Sequence, residues 1–159
     1  MSQIAVDELK DQFHRQWDML HDLIAGLPEE QWKAGDVASL VPARLLYHIL
    51  AGTEVYARST TYEEYRSRQR FTLDWQVAPA AQLPNTADTL ELLAAMREAT
   101  DKWLESLGDE GLAATDEGFP WTGTRKIGRA LYLLRHSQNH IGELNSELKR
   151  RNLPRGKWR

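Results

Sequence analysis

Apolar residues recur at steps of three and four over four long stretches of this chain, and nowhere does a sustained apolar–polar alternation appear. A period near 3.6 is the signature of helices that bury one face, whereas alternation marks half-buried strands. The first stretch runs from about Ile4 to Leu27, with Val6, Leu9, Phe13, Leu20, Ile24 and Leu27 on one stripe. Gly26 and Pro28 close it, because glycine relaxes a helix C-terminus and proline cannot continue the hydrogen-bond ladder. Ser39 is a candidate cap for a second helix with Pro42 in its first turn; Leu45, Ile49 and Tyr56 form its stripe, and Gly52 lies on the same side. Tyr62 to Arg70 reads as a short helical extension, and Phe71 to Pro84, with two prolines, as a long connection. Asn85 then starts a third helix through Leu90, Leu93, Met96, Thr100, Trp103 and Leu107 to Gly108. A glycine-rich connection follows. Thr124 is the candidate cap of a fourth helix whose stripe of Ile127, Leu131, Leu134, Ile141 and Leu148 reaches about Arg151. The expectation is one all-α helical bundle spanning residues 1–159, with no internal repeat or domain boundary.

Composition narrows the chemistry. The chain has no cysteine, so there is no disulfide, no thiolate nucleophile and no sulfur ligand; any metal must sit on nitrogen and oxygen. No apolar run approaches the roughly 20 residues of a membrane span, and the first residues lack the charged head and apolar middle of a signal peptide, so a cytoplasmic protein without a membrane partner is expected. A net charge of −3 is mild. The basic residues gather in Lys149-Arg150-Arg151 and Arg155 to Arg159, where a helix C-terminus favours cations; no nucleic-acid motif accompanies them, and no nucleic-acid partner is expected.

The chemistry-bearing residues are histidines. His136 and His140 are one helical turn apart and stand on one face, and His48 lies on the flank of the second helix, facing partly inward. Imidazoles from facing helices of a bundle can converge on zinc, nickel, iron or copper and leave a coordination position open. Alone the pair is weak evidence, since the glutamate of the His-Glu-x-x-His pattern is replaced by Ser137. Glu143 shares the face of the pair, placed either to orient a ligand, hold water or accept a proton, or simply to be solvated at the bundle end. Tyr132, one turn before His136, is a candidate for a pocket wall or for packing. His14 and His21, two turns apart with Trp17 between them, either approach the same cavity or are boundary residues wetted on one side. Trp32, Trp75 and Trp121 lie in connections and read as rings that anchor loops to the bundle.

The run from Gly128 to Asn145, GRALYLLRHSQNHIGELN, resembles the final helix of the DinB-like superfamily, and Leu27 to Trp32 (LPEEQW) and Leu45 to Leu50 (LLYHIL) resemble its earlier segments in the same order. The resemblance implies an up-down-down-up four-helix bundle of the DinB/YfiT-like kind, often a homodimer, with a divalent metal (Zn, Ni or Fe) on His48, His136 and His140. It implies an enzyme of the hydrolase or small-thiol-dependent S-transferase kind acting on an unidentified small molecule, with Glu143 as the candidate catalytic neighbour. A thiol would have to be an exogenous low-molecular-weight cosubstrate, as there is no cysteine. The rival reading is a non-catalytic bundle that binds a small molecule or a protein and carries a structural or adventitious metal.

Overall fold

The computed structural model describes residues 3–59 and 61–159. Its helices are α1 (Ile4–Gly26), α2 (Glu29–Trp32), α3 (Pro42–Arg58), α4 (Tyr62–Arg68), α5 (Thr86–Ala113) and α6 (Lys126–Arg150), with short 3-10 turns between them. No strand forms among the described residues; one isolated antiparallel bridge joins Thr115 to Arg125. The four long helices, α1, α3, α5 and α6, are those the periodicity predicts.

α1 runs antiparallel to α5. Lys10 meets Glu105, His14 meets Asp101 and Asp18 meets Arg97, so numbers rise on one helix as they fall on the other. Such surface ion pairs contribute at most about 1 kcal/mol each. Far more stability comes from the fully buried face of Phe13, Trp17, Leu20 and Ile24, each worth roughly 1.5–3 kcal/mol or more on burial. They pack into one core with Leu45, Ile49 and Leu50 of α3, Met96 and Leu104 of α5, and Leu133, Leu144 and Leu148 of α6.

The helix ends refine the sequence reading. Asn85 caps α5 as expected, its side chain accepting from the Asp88 N–H at 2.8 Å. Ser39 does not cap α3: it sits in a 3-10 turn, and Val41 holds the cap position with Pro42 next to it. Thr124 does not cap α6 either, because its carbonyl is taken by the Asp116 N–H at 3.1 Å and Arg125 occupies the cap position. At Gly108 φ is +60°, which breaks α5 and would strain any side chain. The turn delivers Asp109 to the N-terminus of α1, where its carboxylate accepts from the N–H groups of Ala5 and Val6 at 3.2 and 3.0 Å. A negative group from a distant helix thus satisfies donors that Gln3 leaves open.

Two buried arginines fasten the connections. Arg44 of α3 donates to the carbonyls of Trp75 and of Ala78, the latter at 2.7 Å, and so pins the long connection before α5. Arg129 of α6 makes a two-pronged pair with Asp116, Nε to Oδ2 at 2.6 Å and Nη2 to Oδ1 at 2.5 Å, and donates to the Ser59 carbonyl at 3.0 Å. Its guanidinium lies 4.3 Å from the ring centre of buried Phe119. Burial pushes the Asp116 carboxyl upward, but the hydrogen bonds and charge of Arg129 outweigh it and leave the group below the usual range. The expected α6 stripe is widened rather than replaced: Ile141 and Leu148 are buried and Ile127 and Leu134 pack against the core, while Leu131 is exposed and Ala130, Leu133 and Ser137 also face inward.

Three of the C-terminal cations are committed within the chain. Arg150 pairs with Asp36 and Glu147, Arg151 donates to Gln31 and to the Ala34 carbonyl, and Arg159 meets Asp22. No helix among the described residues is long and apolar enough to cross a membrane.

Removing one member of the Arg129–Asp116 pair strands a buried charge. Asp116→Ala is expected to cost about 3–5 kcal/mol in urea unfolding, and the paired replacement Asp116→Leu with Arg129→Met less than either single change. A loss under about 1 kcal/mol for Asp116→Ala would contradict this account.

Candidate metal centre

α3 and α6 also run antiparallel, and that pairing sets His48 opposite His136 and His140. Tyr56 faces Tyr132 two turns away from the point where His48 faces His140. Close approach at this level depends on Gly52: a Cβ there would lie 3.0 Å from His136 Cε1, too near for a side chain without displacing the ring. Since Gly52 is one turn beyond His48 on α3, the missing side chain is the space that the His136 ring fills.

The three rings present the same atom to one another. His48 Nε2 is 3.0 Å from His136 Nε2 and 3.2 Å from His140 Nε2. A neutral imidazole nitrogen carries either one hydrogen or one lone pair, so His48 Nε2 can make one good hydrogen bond here and not two. A cation satisfies all three at once. Donors about 2.0–2.1 Å from a metal are about 2.9 Å apart at a right angle and about 3.3 Å apart at the tetrahedral angle; the two separations from His48 fall between these values, and all three ligand atoms lie within 4.8 Å of one another. Among the described residues, this is the group of histidine and carboxylate side chains whose ligand atoms converge closely enough to hold a metal ion.

The surrounding contacts fix the ring orientations. His140 Nδ1 is 2.7 Å from Glu143 Oε2. A carboxylate only accepts, so the Nδ1 carries the hydrogen and Nε2 keeps its lone pair toward the centre. Trp75 stacks on His48 with ring centres 3.9 Å apart and planes within 25°. It is held there by Arg44 and by the Tyr47 hydroxyl, which accepts from the Leu73 N–H at 3.0 Å. Tyr132 lies parallel to His136, with planes within 12° and centres 6.4 Å apart. His136 Nδ1 is buried beside Gly52 with no hydrogen-bond partner among the described residues, and the Ser137 hydroxyl is likewise buried and unpartnered.

Burial is the main reason that His48 falls from an ordinary 6.5 to about 3, the neighbouring imidazoles adding to it. Burial also lowers His136 to about 4, with His140 reinforcing the shift and Glu143 opposing it. Both rings are therefore neutral at pH 7, the form that binds a metal.

The structure brings His48, His136, His140, Glu143 and Tyr132 together and leaves His14 and His21 elsewhere. His14 Nε2 is 2.9 Å from the Asp101 carboxylate between α1 and α5, and His21 is exposed beside Asp22 at 3.9 Å. Trp32 is a loop anchor as expected, fully buried and donating to the Pro84 carbonyl at 2.8 Å. Trp75 and Trp121 are not simple anchors. The first covers a candidate ligand and the second is exposed, each placed by a connection whose path periodicity does not encode.

The DinB superfamily profile matches residues 12–144, a span containing all three histidines. The chain belongs to the DinB superfamily. Neither the curated proteins nor the solved structures include a significant match.

The lowered histidines give this DinB superfamily protein a signed pH dependence. The unfolded chain takes up protons near pH 6.5 that the folded chain refuses until about 4 or below, so metal-free stability is complete above 6.5 and declines as the pH falls from 6.5 toward 4. Urea unfolding with chelator present is expected to lose on the order of 2–4 kcal/mol between pH 7 and pH 5, and His48→Asn about half of that. An equal loss in both proteins would contradict the burial of His48 as its cause.

Proposed function

We propose that this protein is a divalent-metal-dependent enzyme of the hydrolase or small-thiol-dependent S-transferase class, acting on an electrophilic small molecule. The observation that carries the reading is the meeting of three imidazole Nε2 atoms at 3.0 and 3.2 Å, with a carboxylate fixing the tautomer of one. His48, His136 and His140 would hold zinc, nickel or iron. When bound, such an ion supplies Lewis acidity that lowers the pKa of water or of an exogenous thiol in its remaining coordination positions.

The chain's own residues then have separate tasks. Glu143 is a positioning residue, since its carboxylate is committed to His140 Nδ1, and it keeps that ring's lone pair directed inward. Trp75 covers one face of His48 and keeps water from it. Gly52 leaves the space that the His136 ring needs. With no cysteine in the chain, any sulfur nucleophile comes from a small cosubstrate. The protein is taken as cytoplasmic and, on the family resemblance, as a homodimer without nucleic-acid or membrane partners; sedimentation tests the dimer.

Protein purified without an affinity tag is expected to contain or take up about one zinc, nickel or iron per chain, and to gain turnover of electrophilic substrates with metal, with or without an added small thiol. His48→Ala should weaken zinc binding by at least about a hundredfold and Glu143→Gln by about 10–100-fold. Full metal affinity in His48→Ala would defeat the metal-centre reading. A coordination shell closed to water and thiol would favour the non-catalytic bundle instead. Gly52→Ala should also lower zinc affinity while leaving the helix content intact, because it moves His136 without removing a ligand.

A further inference from the structure

Aromatic rings collect on one side of the three-histidine centre and continue to the surface. Trp121 is 54% exposed and Tyr62 44% exposed, and their ring centres are 6.3 Å apart, edge to face. From Trp121 the contacts lead inward. Its indole N–H donates to the Tyr56 hydroxyl at 3.2 Å, Tyr56 packs against Tyr132 at 5.2 Å, and Tyr132 lies parallel to His136. A solvated cluster of large rings leaves apolar area in water that a ligand can cover, and aromatic faces favour aromatic partners.

The wall is also held in place. Trp121 sits in a 3-10 turn (Pro120–Thr122) closed by the Thr122 hydroxyl donating to the Phe119 carbonyl at 2.8 Å, and Phe119 is buried under Arg129. Beside it, the Arg135 guanidinium lies 5.3 Å from the Tyr132 ring centre and pairs with no carboxylate among the described residues. An aromatic surface with an uncompensated cation at its edge suits a planar anion. Because the rings lead to His136 and not only across the surface, a small molecule fits them better than a second copy of the chain.

We propose that Trp121, Tyr56 and Tyr132 form the binding wall for the aromatic portion of an anionic small-molecule substrate, with Arg135 meeting its charge and the three-histidine centre meeting its reacting group. The proposal rests on that centre being the reactive site.

The test titrates 2-naphthoate into the full chain, metal-free and zinc-loaded, and follows the indole N–H resonances by two-dimensional NMR. The Trp121 resonance should move. Trp121→Ala and Tyr132→Ala should each raise Kd about three- to tenfold, and Trp121→Phe should restore most of the affinity. Arg135→Gln should weaken naphthoate but not neutral 2-naphthylmethanol, and saturated decahydro-2-naphthoate should bind at least about threefold more weakly than naphthoate. An unmoved Trp121 resonance, or an unchanged Kd in Trp121→Ala, overturns the proposal. So does a Trp121→Ala variant that loses a dimer while binding naphthoate normally, which would assign the patch to a second copy. Zinc affinity measured in parallel separates the two claims: naphthoate held through Trp121 by a protein that binds no zinc supports the wall and overturns the metal reading.

Discussion

The antiparallel contact of α3 with α6 at Gly52 is the constraint on which the rest of the site depends. One helix must come close enough for a single imidazole to meet two others, and the absent side chain of Gly52 permits it, since a Cβ would stand 3.0 Å from the His136 ring. The approach places three imidazole nitrogens together in a half-buried setting. Apolar packing alone does not ask for such a meeting: it leaves His48 Nε2 with two close neighbours and one usable hydrogen or lone pair. The geometry is sensible when a cation supplies what hydrogen bonding cannot.

Around that contact the fold uses buried cations to hold irregular chain. Arg44 gathers the carbonyls of Trp75 and Ala78, and the same connection then lays Trp75 on His48. Arg129 gathers Asp116 and the Ser59 carbonyl, and the connection it fastens carries Trp121 to Tyr56. Guanidinium groups suit this task because several donors lie in one rigid plane and can serve backbone acceptors on different segments.

How much of this was legible in the sequence differs by element. The helical period and the Asn85, Gly108 and Pro42 signals located the four long helices, because each depends on residues adjacent in the chain. The histidine pair of α6 was visible for the same reason, while His48 entered through position on its own stripe and through the family resemblance. Ser39 and Thr124 misled because a capping side chain is only one way to satisfy a helix start, and the chain here uses extended backbone before Pro42 and Lys126. Leu131 misled because it lies at the edge of a stripe whose other members, Ile127, Leu134, Ile141 and Leu148, do face the core. Trp75 over His48, Asp109 at the head of α1 and the Arg129 clamp rest on pairs separated by many residues, which local spacing does not report. Glu143 was legible as a neighbour of His140, and the structure sets its carboxylate 2.7 Å from Nδ1 of that ring.

In the proposed centre His48, His136 and His140 hold one metal together and leave it open to a reactant. X-ray absorption spectroscopy of the zinc-loaded protein tests it most directly. The expected result is three imidazole nitrogens at about 2.0–2.1 Å, with one or two further oxygen neighbours that are replaced by sulfur at about 2.3 Å when a small thiol is added or remain as exchangeable water. A zinc ion with fewer than three imidazoles, or one saturated by protein ligands alone, would contradict it.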